Sequence, residues 1–155
     1  MERFYNHMTA VEARKELSCF DSYTKIAIVR NPFDFAVSMY FWDIKKEGKP
    51  LDFESWCIEN KSKLAKNIDQ YKIDGENVID FYIRFDRMKE DILELEKIKI
   101  GLNGLWETFS KIKTKHKIRP KSASYQEMFI NASEARSIIS NLYSDEISNF
   151  GFNAP

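Results

Sequence analysis

Short apolar runs alternate along this chain with longer stretches in which apolar positions return every three or four residues. Thr9-Ala10-Val11-Glu12 has the form of a capping box and predicts a helix running to about Ser18. Residues 25–29 contain the run Ile26-Ala27-Ile28-Val29, rich in β-branched side chains, which predicts a strand covered on both faces. Pro32 cannot continue a ladder but suits the first turn of a helix. Ala36, Val37, Tyr40, Phe41 and Ile44 then recur at helical spacing and predict a helix over 33–46. Gly48-Lys49-Pro50 breaks the chain, and Asp52 is placed to cap a short helix holding Phe53, Trp56 and Ile58. Residues 60–76 are polar without a firm period and read as a loop with at most a helical turn. A second strand is predicted over 78–83, followed by a helix from about Arg87 to Ile98 with Ile92, Leu95 and Ile98 inward. Residues 101–121 are mixed, and the alternating lysines Lys111, Lys113, Lys115 and Lys117 suggest an exposed segment. Asn131 and Glu134 are placed to cap a last helix to about Asn149, with Ile138, Ile139, Leu142 and Ile147 inward. Strands alternating with helices predict an α/β fold with a parallel sheet.

At 155 residues the chain is the size of one domain with a sizeable core. Lys plus Arg and Asp plus Glu both total 24, so no net field steers polyanions. That argues against a nucleic-acid binder while leaving room for a local basic pocket. Cys19 and Cys57 lack metal-ligand spacing and read as two buried, reduced thiols, and no metal is expected. There is neither a secretory leader nor an apolar run long enough to span a bilayer. The expectation is therefore a cytoplasmic protein with no membrane partner. On that basis the sequons Asn60-Lys61-Ser62 and Asn131-Ala132-Ser133 read as inert.

The chemistry concentrates where the first strand meets the helix. Arg30 and Asn31 stand at the strand's carboxyl end, Pro32 opens the helix, and Ser38 lies in its second turn. In open α/β sheets this is where anions bind, because a helix N-terminus presents unpaired N–H groups. The stretch Ile28-Val29-Arg30-Asn31-Pro32-Phe33-Asp34-Phe35, then Ser38-Met39-Tyr40, resembles the 3′-phosphate motif of sulfotransferases that use 3′-phosphoadenosine 5′-phosphosulfate (PAPS). The similarity is closest to the carbohydrate sulfotransferases, whose motif runs apolar-apolar-Val-Arg-Asn-Pro-aromatic-Asp-Arg, then Ser and an aromatic. Phe35 stands where the family carries its second arginine.

Weaker similarity extends from about His7 to Phe152. Val78-Ile79-Asp80-Phe81-Tyr82-Ile83-Arg84-Phe85-Asp86 resembles the family's apolar strand ending in Arg-Phe-Glu, and Lys89-Glu90-Asp91 follows as its acidic pair does. Lys121-Ser122-Ala123-Ser124-Tyr125 and the run from Tyr143 to Phe152 resemble its closing segment. The family's 5′-phosphosulfate loop reads Pro-Lys, small residues, Gly, then Ser or Thr. No lysine here is followed by such a Gly-Ser or Gly-Thr pair. The resemblance thus implies a single P-loop-like sulfotransferase domain over 1–155 without the amino-terminal strand and its loop. Removing a central strand opens two sheet edges, which predicts a homodimer or a substitute strand from residues 1–6.

The implied activity is transfer of a sulfuryl group from PAPS, without a metal, to a hydroxyl of a carbohydrate-type acceptor. A non-catalytic binding module on the same scaffold is the alternative. The resemblance assigns Arg30 and Ser38 to the nucleotide's 3′-phosphate, with Ser38 otherwise a helix-face serine. His7 matches a histidine that serves as base in some members, or else is a capping or surface residue. Arg84 ends a strand and either faces the same crevice or pairs with Asp86 or Glu90. Lys121 and Ser122 lie in the late loop where relatives contact the nucleotide, or are simply solvated. His116, among lysines, reads as solvated.

Overall fold

The computed structural model describes residues 8–48, 51–64, 68–112 and 118–155. In chain order the elements are α1 (Ala10–Glu16), β1 (Ile26–Val29), α2 (Pro32–Glu47), α3 (Phe53–Glu59), β2 (Lys72–Ile73), β3 (Glu76–Asn77) and β4 (Phe81–Arg84), then α4 (Met88–Ile98), α5 (Leu105–Phe109), α6 (Tyr125–Met128), α7 (Ser133–Leu142) and α8 (Ser144–Phe150). The protein is α/β, with a small parallel sheet and helices. The chain divides into two compact units, one formed by Met1–Val29 and Lys66–Thr108, the other by Arg30–Ala65 and Phe109–Pro155.

In the first unit the parallel pair β1–β4 aligns Ile26 with Phe81, Ala27 with Tyr82, Ile28 with Ile83 and Val29 with Arg84. Among the described residues no third strand flanks either one. The pair is locked at its start by Asp80, whose carboxylate accepts the Lys25 backbone N–H at 2.7 Å and meets the Lys25 ammonium at 3.1 Å. β1 is not covered on both faces. Ala27 and Val29 are buried, whereas Ile26 and Ile28 are 40% and 41% exposed. An apolar run alone does not distinguish a strand covered on both faces from one covered on one.

β4 begins three residues later than the periodicity predicts, because Val78 to Asp80 are taken up in the turn leading from β3. Residues 72–77 form a hairpin where the polar composition predicts a loop. β2 and β3 pair antiparallel across Asp74-Gly75, both with positive φ (53° and 84°). Such a two-residue connection requires two left-handed residues, and Asp-Gly meets that need. α1 starts at the predicted capping box, with Thr9 and Glu12 bonding each other's backbone N–H groups. Ala10, Phe20 and Ile73 form a small core under α1, and Ile92 and Leu95 of α4 are almost fully enclosed. Ile98, expected inward, is 56% exposed at the last position of α4.

The second unit is built around α2. Pro32 opens the helix and Gly48 closes it in the left-handed conformation, at φ 71°. Phe33, Ala36, Val37 and Tyr40 form one buried face against Phe53, Trp56 and Cys57 of α3 and Phe129, Ala135, Ile139 and Tyr143. Aromatic rings meet edge-on, with Phe33–Phe129 at 5.3 Å, Phe53–Phe129 at 4.9 Å and Tyr40–Trp56 at 5.7 Å. Each such pair adds roughly 0.5–1.5 kcal/mol beyond simple burial. Asp52 caps α3 as expected, accepting from the Ser55 N–H at 3.0 Å. Cys57 points inward from that helix, as expected of a buried thiol, whereas Ile58 is 41% exposed. Cys19, in the other unit, is exposed, contrary to the reading of two buried thiols.

The expected last helix is two helices, broken at Tyr143, whose side chain is buried in the core. Neither Asn131 nor Glu134 caps α7. Its N-cap is Ala132, and the free N–H groups of Glu134 and Ala135 donate to the Glu54 carboxylate of α3 at 2.7 and 3.4 Å. Among the described residues no helix is long and apolar enough to cross a membrane.

Candidate functional site

The head of α2 is held by Asn31. Its Oδ1 accepts the Phe33 N–H at 2.9 Å, and its Nδ2 donates to the Asn153 carbonyl at 3.1 Å. One buried amide therefore caps the helix and fixes the chain's closing segment to it. Asp34 follows in the first turn, where the helix dipole favours a carboxylate.

Two arginines converge on that carboxylate. Arg30 Nε donates to Asp34 Oδ2 at 2.6 Å, and Arg119 Nη1 pairs with Asp34 Oδ1. Arg119 Nε also donates to the Ala123 carbonyl at 2.6 Å. The arginine thus closes its own loop, which carries Lys121 and Ser122, and ties that loop to the head of α2. All three charged side chains are 22–23% exposed. Two guanidinium groups around one carboxylate leave a net positive cluster, partly shielded from water, in which electrostatic contacts are stronger than at the open surface.

Ser38 lies one turn beyond Asp34, four residues on and so on the same side of α2, and is half-buried. Lys121 and Ser122 are exposed in a turn. Among the described residues Lys121 forms no ion pair. The second unit therefore contains Arg30, Ser38, Lys121 and Ser122, and folding adds Arg119 to them. Arg119 has no local signature. Its partner is 85 residues away in the chain, and only folding makes it a neighbour of Arg30's counter-ion. Phe35, where the resembled motif has arginine, packs against the apolar core.

Arg84 belongs to the first unit. Its Nε and Nη2 donate to Asp86 at 3.1 and 2.7 Å, and its backbone N–H donates to Asp91 at 2.7 Å. The hydrogen bonds from Arg84 hold the Asp86 carboxyl below its ordinary value, while Asp86 raises the guanidinium in turn. Arg84 therefore forms the ion pair with Asp86 that its place at the strand end allows. His7 and His116 lie outside the described residues.

Chemically, the Arg30–Asp34–Arg119 cluster suits a compact dianion such as a phosphate monoester, which takes fork-shaped donors better than point charges. No family model matches this chain, and neither a curated protein nor a solved structure matches it.

Proposed function

We propose that this chain is a sulfotransferase-like domain that binds PAPS and transfers its sulfuryl group to a hydroxyl of a carbohydrate-type acceptor. The observation that carries the reading is the Arg30–Ser38 motif at the head of α2, with Arg30 oriented by Asp34 at 2.6 Å. Arg119, drawn to the same carboxylate from the late loop, supports it, because that loop is where the resemblance assigns further nucleotide contacts. In this reading Arg30, Ser38 and Arg119 hold the 3′-phosphate, with Lys121 and Ser122 at its rim. Asp34 holds both guanidinium groups through its two carboxylate oxygens. PAPS supplies the sulfuryl group and a phosphate leaving group. His7 is the proposed base for the acceptor hydroxyl, and Arg84 a proposed additional nucleotide contact.

Titration calorimetry with adenosine 3′,5′-bisphosphate tests the nucleotide claim. Arg30→Ala is expected to weaken binding by about 2 kcal/mol, since a charge-assisted contact is lost. Ser38→Ala is expected to cost about 1 kcal/mol. Absence of heat at millimolar ligand removes the reading.

A second reading, a binding module that keeps the scaffold without the chemistry, is favoured by Phe35. The side chain at that position serves the core and offers no charge. Transfer of labelled sulfate from PAPS to any glycan acceptor rejects it.

A further inference from the structure

Asn103 and Gly104 lie in the loop between α4 and α5, and they are the only asparagine–glycine pair in the sequence. The Leu105 N–H donates to the Leu102 carbonyl at 3.1 Å, so the pair forms the two central residues of a β-turn. Gly104 has φ 79°, the positive value that a type II turn asks of its second central residue. Both residues are exposed. Among the described residues the peptide group joining them has no hydrogen-bond partner, and neither has the Asn103 carboxamide. The bonds that hold the turn lie on either side of that peptide. The Gly104 carbonyl accepts the Thr108 N–H and hydroxyl, each at 3.1 Å, and the Glu96 carboxylate accepts the Trp106 N–H at 2.7 Å. The central peptide plane can therefore rotate while its flanking bonds stay made. Glycine accepts the φ values of either orientation, and a Cβ at Gly104 would meet nothing within 4 Å.

The other asparagines among the described residues differ. Asn31 and Asn60 donate from their carboxamides to the Asn153 and Trp56 carbonyls, and Asn77 Oδ1 accepts the Ile79 N–H and the Tyr82 hydroxyl. Asn131, Asn141, Asn149 and Asn153 precede Ala, Leu, Phe and Ala, whose side chains crowd the following nitrogen.

We propose that Asn103 is a site of spontaneous backbone modification, where the folded chain deamidates through a succinimide at close to the rate of an unstructured peptide. The Gly104 nitrogen attacks Asn103 Cγ. The new N–C bond forms as the C–Nδ2 bond breaks, and the proton of the attacking N–H leaves with Nδ2 as ammonia. Water then opens the ring. Attack at the side-chain carbonyl gives aspartate, and attack at the main-chain carbonyl gives isoaspartate, whose chain runs through Cβ. Either product adds a negative charge. Isoaspartate also lengthens the main chain by one carbon inside the turn, which breaks the Leu105–Leu102 bond and loosens the start of α5. Its free α-carboxylate is a substrate for carboxyl methyltransferases that act on isoaspartate. The site depends on neither functional reading of the arginine cluster.

The test holds the full chain in mildly alkaline buffer beside a synthetic peptide of residues 99–108, and maps digests by mass spectrometry over time. The mass gain of an amide turned to an acid is expected at Asn103, at a rate within about tenfold of the peptide's. Isoaspartate at the same residue should accept a labelled methyl group from S-adenosylmethionine when an isoaspartyl methyltransferase is added. Mapping separates it from Asp74-Gly75, where isomerisation changes no mass. Gly104→Ala should slow the reaction about tenfold or more. Asn103→Gln should abolish it, because the larger ring closes poorly, and this exposed substitution leaves the fold in place. The modified chain should show faster amide exchange at Leu105 and Thr108. A native rate more than about tenfold below the peptide's overturns the proposal. So does deamidation of another asparagine ahead of Asn103, or an unchanged rate in Gly104→Ala.

Discussion

Cys57 and Cys19 show how one residue type acquires two chemistries from its surroundings. Burial pushes the Cys57 thiol up to about 12, with the Glu54 carboxylate adding to the effect. A thiol so protonated is a poor nucleophile near neutral pH, and its fully enclosed sulfur admits no reagent. Cys19 is exposed. Native alkylation with iodoacetamide is therefore expected to add one label, at Cys19, with Cys57 reacting only in denaturant. Intact mass and peptide mapping read this directly, and native labelling of Cys57 contradicts the packing described. The same dependence on surroundings governs Arg30. Its motif is visible in the sequence, but Arg119 becomes part of the cluster only through Asp34. Arg119→Ala is expected to weaken adenosine 3′,5′-bisphosphate binding by an amount on the order of 1–2 kcal/mol. It should also loosen the 119–123 loop, seen as faster amide exchange at Ala123 and its neighbours.

Among the elements, those whose signals are local were legible in advance. The Thr9–Glu12 box starts α1, Pro32 starts α2, and Asp52 caps α3, because donor and acceptor lie within one turn of each other. The hairpin 72–77 also carried a local signal, Asp74-Gly75, but its strands are two residues each and too short for any alternation to register. Gly75→Ala is expected to destabilise the protein by about 1 kcal/mol, since φ is 84° there and open space removes any steric cause. Thermal unfolding measures it, and an unchanged midpoint contradicts the left-handed turn. The start of α7 carries a local signal, Asn131 and Glu134, that the fold does not use. Its cap is the Glu54 carboxylate from another helix, 80 residues earlier. Glu54→Ala is expected to cost about 1 kcal/mol, with fraying of the first turn of α7 in amide exchange.

For the molecule as a whole, acid response follows from carboxylates held below the ordinary aspartate value of 3.8. Asp80 is lowered chiefly by the Lys25 backbone N–H, Asp86 by Arg84, and Asp52 by Ser55. Each binds a proton less readily when folded than when unfolded. The stability they contribute is present above the unfolded value and is lost as pH falls through their lower folded values. Urea midpoints should thus drop below about pH 4, and Asp80→Asn should make that drop shallower. The two-stranded sheet leads to a prediction about assembly. Among the described residues no further strand covers the outer edges of β1 and β4, and with Ile26 and Ile28 exposed this favours strand addition from a second copy. The purified chain is expected to form a closed two-fold dimer, and a monomer mass in light scattering at all concentrations rejects that. By itself the sequence determined the α/β character, the approximate places of the strands β1 and β4, and the Arg30-Asn31-Pro32 start of α2. These rest on interactions within a few residues, which chain order encodes directly. The tertiary structure alone decided which face of β1 is covered, that the last helix breaks at Tyr143, that Glu54 caps α7, and that Arg119 joins Arg30. Each of these depends on a partner tens of residues away, or on the core that encloses Tyr143, and chain order does not reveal which distant groups packing brings together.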